Sequence, residues 1–130
     1  MTRVGCMALA LLAACTAASL HVPGDPVDCD PIGGEVTGDI IDPAGATTRF
    51  GAVQATFVEP DLVTLTDGTL SLVIGINDTP REISLVFPGR AVFATTGKLV
   101  LDVDTTTCHA GRYDVFFQYH GEITGWFAVP

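Results

Sequence analysis

The chain has 130 residues, 48% hydrophobic and 16% charged, with six basic against fifteen acidic side chains and a formal net charge of −9. That length supports one domain around a single core, and the apolar fraction is too high for a disordered chain. No basic cluster is present to neutralise phosphates, so nucleic-acid binding is all but excluded.

The amino terminus has the layout of an exported protein. Arg3 is the sole charge of a short leading region, and Val4 to Ala14 carries none. A bilayer-spanning helix needs about 20 apolar residues, whereas a signal-peptide core needs about 7–15. The run therefore reads as a signal peptide over residues 1–14. It ends in Leu12-Ala13-Ala14-Cys15, which resembles the lipobox of bacterial lipoproteins. The resemblance implies a diacylglycerol-derived group on the Cys15 thiol, cleavage before that residue, and acylation of the new amino terminus, as by palmitate. Its alternative is a plain secretory signal cut later, because Thr16-Ala17-Ala18 also offers small residues. Cys6 is lost with either cut. The mature part then has five basic and fifteen acidic residues, a net charge of −10. Such a surface repels anionic polymers.

Residues 15–31 contain Pro23, Pro26 and Pro31 with Asp25, Asp28 and Asp30. Proline and like charge both extend a chain, so this stretch reads as an acidic tether between lipid and domain. From residue 32 to 130 short apolar runs alternate with polar residues at period two, separated by glycine, proline, aspartate and asparagine. Strands are expected over Glu35–Ile41, Arg49–Val58, Arg81–Phe87, Arg90–Ala94 and Lys98–Asp104. Asn77-Asp78-Thr79 matches a glycosylation sequon but reads as a loop.

Leu62–Thr66 and Thr69–Ile74 flank Asp67-Gly68, the signature of a two-residue hairpin turn. Pairing Thr66 with Thr69 gives one face of Val63, Leu65, Leu70, Leu72 and Ile74, and a second of hydroxyl side chains. Pro88-Gly89 fits a type II turn. In Lys98–Asp104, Leu99, Leu101 and Val103 are expected inward, with Asp102 and Asp104 outward. Arg112 to Val129 forms a second hairpin around a three-residue loop, Tyr119-His120-Gly121. Tyr113, Val115 and Phe117 then share a face with Ile123, Gly125 and Phe127. Phe116 and Trp126 sit diagonally on the other. This pattern implies an all-β fold, an antiparallel β-sandwich of about eight strands, with a small closed β-barrel as the alternative.

With Cys15 assigned to lipid, Cys29 and Cys108 remain as an even pair in an oxidising compartment, and a disulfide between them is expected. Their spacing fits neither a redox pair nor a zinc pattern. His21, His109 and His120 belong to no metal motif, and the last two read as loop histidines. Ser19, Ser71 and Ser84 lie in no nucleophile elbow, so no catalytic residue and no cofactor are assigned. Asp28/Asp30 and Asp102/Asp104 are the only weak calcium candidates, since hard cations need several oxygens. Phe116 and Trp126 could form a ligand platform for a sugar or protein, or pack as a second buried face.

The sequence thus points to an exported protein tied to the bacterial cell membrane or outer membrane by lipid, or otherwise secreted or periplasmic. Its β domain is expected to be non-catalytic, serving protein interaction in the cell envelope or a structural role. A carbohydrate- or calcium-binding module is the second reading. A hydrolase with a site invisible in sequence is the third.

Overall fold

The period-two alternation builds eleven antiparallel strands in a computed structural model that describes residues 22–77 and 82–130. The signal segment, the lipobox with Cys15, His21 and residues 78–81 lie outside the described residues. The strands are β1 (Gly33–Thr37), β2 (Ile40–Ile41), β3 (Thr47–Thr48), β4 (Gln54–Val58), β5 (Leu62–Thr66) and β6 (Ser71–Gly75). They continue as β7 (Ile83–Phe87), β8 (Arg90–Phe93), β9 (Thr96–Asp104), β10 (His109–Phe117) and β11 (Gly121–Val129). One sheet has the order β1-β11-β10-β9, the other β4-β5-β6-β7-β8, and β2-β3 forms a small separate hairpin. Both main sheets are open, so the fold is a sandwich and not a closed barrel. Among the described residues, no helix is long and apolar enough to cross a membrane.

The core lies between the two sheets. Val63, Leu65, Leu72, Ile74 and Leu85 face Tyr113, Val115, Phe117, Ile123 and Phe127, and all ten are fully buried. Burying one such side chain is worth about 1.5–3 kcal/mol. These are the inward faces expected from the sequence, yet both hairpin registers differ from expectation. Thr66 pairs with Ser71, Leu65 with Leu72 and Val63 with Ile74. The loop is therefore Asp67–Leu70, four residues and not two. Asp67 is the reason: its Oδ1 accepts the amides of Thr69 at 2.8 Å and Leu70 at 2.7 Å, and its own amide donates to the Leu70 carbonyl. Burial pushes the Asp67 carboxyl up, but these amides and that of Gly51 outweigh it and lower its pKa.

In the second hairpin Phe117 pairs with Gly121 and Val115 with Ile123, placing Gln118–His120 in the loop. Tyr119 takes the positive φ of 71° there. Both corrections shift the pairing by two residues, which preserves every inward face. Pro88-Gly89 does join Phe87 to Arg90, with Gly89 at φ 78° as a type II turn requires.

Two expected strands are shorter. Glu35–Ile41 breaks at Gly38, whose φ of 134° carries the chain out of β1 into the β2-β3 hairpin. Arg49–Val58 is a strand only from Gln54, because the Gly51 amide is bonded to the Asp67 Oδ2 at 2.9 Å instead of to a ladder. A third correction concerns β9. Ala110 pairs with Val103 but Gly111 with Leu101, so Asp102 is the extra residue of a β-bulge. Beyond it the alternation inverts, and Asp104 turns to the side of His109 rather than that of Asp102.

Candidate functional site on the outer face of the four-stranded sheet

The side of β10 facing away from the core carries Arg112, the one arginine or lysine in a strand that also holds His109 and Asp114. Asp102, two residues after the Val100 that pairs with Arg112, presents its carboxylate on the same face. Arg112 Nε donates to Asp102 Oδ2 at 2.9 Å and Nη2 to Oδ1 at 2.8 Å, a two-pronged pair of the strong kind. Both side chains are largely buried, at 14% and 7% exposure. The Arg112 hydrogen bonds, followed by the Val27 amide, hold the Asp102 carboxyl below its ordinary range. The same pairing raises the pKa of Arg112.

The pair serves as a latch for the amino-terminal segment. Arg112 Nη1 donates to the Gly24 carbonyl at 2.8 Å, and the Val27 amide donates to Asp102 Oδ2 at 3.0 Å. Two residues further on, Cys29 is joined to Cys108 in a disulfide, with Cα atoms 5.9 Å apart. The expected pairing of the two cysteines is therefore correct. The described part of the expected tether, from Val22 onward, is not a free spacer. It is strapped along β10, and Ala110 and Ala128 on that outer face are fully buried.

Beside the strap runs a groove of about 370 Å³, bordered by Pro23–Asp25, Glu35, Thr37, Arg112, Thr124 and Trp126. Trp126 is half-buried in its wall, facing Arg112 on one neighbouring strand and Glu35 on the other. Phe116, also half-buried, is paired with Glu122. It lies four residues along the sheet from the Trp126 row, about 13 Å at strand spacing. The two rings share a face, as expected, but the two-residue register shift makes them distant and not diagonal neighbours. A platform here would consist of Trp126 with the hydroxyls of Thr37 and Thr124.

The two weak calcium candidates are also separated. Asp102 is held by Arg112, while Asp104 Oδ1 lies 2.8 Å from His109 Nδ1. Among the described residues no three histidine, cysteine, aspartate or glutamate side chains converge as a metal set. Of the two histidines expected in loops, His120 is in one and His109 is not. His109 begins β10 and stacks on Phe57 of the opposite sheet, ring centroids 4.1 Å apart. His120 is in the hairpin loop but buried, its Nδ1 donating to the Ile41 carbonyl at 2.6 Å while the Ile41 amide donates back to the His120 carbonyl. It thereby ties the β2-β3 hairpin to the end of the sandwich. Ser71 and Ser84 lie on β6 and β7, in the other sheet.

Sequence reasoning missed Arg112, the residue that organises this face. Its signal was present: a single arginine inside a largely buried strand must find an anion, and Asp102 stands ten residues earlier in the adjoining strand. Comparison of the chain with known protein families, characterised proteins and solved structures finds no match.

Proposed function

We propose that this chain is an exported cell-envelope protein, lipid-anchored through Cys15, whose β-sandwich is a non-catalytic domain for protein interaction or a structural role. One observation carries the extracytoplasmic half of this reading. The Cys29–Cys108 disulfide closes a separation of 79 residues and fastens the amino-terminal segment to the domain. Such bonds persist in oxidising compartments and not in a reducing cytosol. The lipobox-like Leu12-Ala13-Ala14-Cys15 supplies the anchor half, and two or more acyl chains hold a protein stably where one is marginal.

The test is metabolic labelling with a clickable fatty acid, followed by detergent-phase partitioning. Wild type should carry the label and enter the detergent phase, and Cys15→Ser should do neither. Wild type in the aqueous phase without label refutes the anchor. A second reading, a saccharide-binding module, is favoured only by the groove beside Trp126, since an indole against hydroxyl groups can stack on a sugar ring. It requires that oligosaccharides change the emission of this single tryptophan. Calcium has less support, because Asp102 and Asp104 are turned to different partners.

A further inference from the structure

The two sheets of the sandwich turn different outer faces to solvent. On the four-stranded sheet the residues facing away from the core include Glu35, Lys98, Asp102, Arg112, Asp114 and Glu122. The five-stranded sheet has no such charge. Arg90 is the only charged residue within β4–β8, and alternation places it on the side of Val92, which packs against the core. Pairing sets Thr56, Thr64, Val73, Ser84 and Phe93 in one outward row across all five strands. Glu59, Asp61, Asp67 and Glu82 stand beyond the strand ends, around this face and not on it. At its opposite edges Val58 is 53% and Phe93 67% exposed. Depletion of charge, with an aromatic residue present, is what marks the centre of a protein interface more than apolarity as such.

The charge balance selects the partner. A chain of net charge −9 repels other acidic surfaces and attracts basic ones. A basic partner gains by meeting carboxylates, and this face offers none. A second copy is the partner for which a contact without charge matters, because in a two-fold interface every acidic residue enters twice, once from each copy. Size agrees with this choice. Five strands at about 4.8 Å spacing and about 17 Å of strand length outline roughly 400 Å² per copy. Two outlines make roughly 800 Å², to which side-chain relief and the surrounding turns add, and specific contacts begin near about 1,000 Å² in total. That is the size of a weak, reversible dimer and not of an obligate one.

We propose that the outer face of the five-stranded sheet is a self-association surface, on which two copies pack face to face about a two-fold axis near Val73. The inference rests on the protein-interaction reading, names its partner, and does not need the anchor. Sheets stacked in this way lie about 10 Å apart with strands within about 30° of each other, and the threonine, serine and valine side chains of the row are short enough to interdigitate at that spacing.

The experiment uses the full chain as cells export it, in detergent matched to the solvent density so that only protein mass sediments. Between about 1 and 100 μM the mass at sedimentation equilibrium should rise from one chain toward two. Salt should tighten the dimer, since it screens the repulsion between two acidic copies. Val73→Arg sets two guanidinium groups at the axis and should weaken association by about a hundredfold or more, and Thr64→Lys should act likewise. Gln118→Arg, in the exposed β10-β11 loop of the other sheet, should dimerise as wild type does. Urea midpoints show which variants are folded. Wild type that stays at one chain mass at 100 μM, or folded Val73→Arg and Thr64→Lys that associate as wild type does, overturns the proposal. A photo-crosslinking residue in place of Ser84 in intact cells separates that failure from failure of the reading beneath it. An adduct of twice the chain mass supports the dimer. An adduct with a different protein overturns the second copy and keeps the protein-interaction reading, and no adduct together with a monomeric wild type removes both.

Discussion

The inner packing of the four-stranded sheet converges on Gly125. This residue pairs with Val36 of β1 on one side and Tyr113 of β10 on the other. Tyr113 is fully buried, and its hydroxyl donates to the Glu35 carbonyl at 2.7 Å. Burial, and then the Glu35 charge, raise the Tyr113 pKa well above the ordinary value, so this hydroxyl stays protonated as a donor. A methyl group on residue 125 would overlap both the Glu35 carbonyl oxygen and the Tyr113 hydroxyl, and would come within 2.8 Å of Tyr113 Cζ. Neither neighbour yields easily, because one is strand backbone and the other a ring enclosed on all sides. Gly125→Ala should therefore cost about 1–3 kcal/mol in overpacking. Displacing the Tyr113 hydroxyl from its acceptor adds about 1–3 kcal/mol. The sum, about 2–6 kcal/mol, is a large part of the roughly 5–15 kcal/mol of a typical domain. In urea the midpoint should fall by about 1–3 M with an unchanged slope. Tyr113→Phe, which removes one of the two overlaps, should cost less in the Gly125→Ala background than in wild type. A Gly125→Ala midpoint equal to wild type, or strictly additive single changes, would refute this account of the sheet.

Replacing Cys29 and Cys108 together by serine should lower stability by up to about 4.5 kcal/mol on the chain-entropy account of a loop this long, read as the difference in melting with and without reductant. Asp102→Asn should release the strap, seen as faster hydrogen exchange at the Val27 amide. The Asp102 pKa is lowered in the folded state, so its contribution is complete above the ordinary carboxylate value near 4 and is lost as pH falls through the folded value; the variant should therefore show a flatter acid limb. Tyr119→Asn should raise stability by up to about 1 kcal/mol in thermal or urea unfolding, since asparagine tolerates the left-handed backbone at φ 71°.

How much of this fold is legible in the sequence depends on the range of the interaction that decides each feature. The inward faces of the two hairpins follow from alternation alone. Val63, Leu65, Leu72 and Ile74 sit on one face in every register that differs by two residues. The registers themselves are decided by loop chemistry. At Asp67 one carboxylate accepts two amides and lengthens the loop, and at Tyr119 the positive φ falls on an aromatic residue that composition would not select. Both are local effects, but effects of geometry and not of residue preference.

The functional face depends on contacts that no local pattern encodes. Pro23, Asp25 and Pro26 read as a solvated spacer because those residues resist regular structure. Their extended path is also what an edge-to-edge strap needs. The choice between spacer and strap is made by Arg112, 88 residues after Gly24, and by a disulfide spanning 79. The bulge at Asp102 shows the same dependence. Regular alternation would leave Asp102 and Asp104 together on the face of Arg112, two carboxylates for one guanidinium. The extra residue in the ladder leaves Asp102 with Arg112 and turns Asp104 to His109, so each carboxylate has its own donor at the cost of one irregular pairing. A second carboxylate left unpaired beside the Arg112–Asp102 pair would be repelled by Asp102, and the bulge that relieves this is also what removes the two acids as a shared cation site.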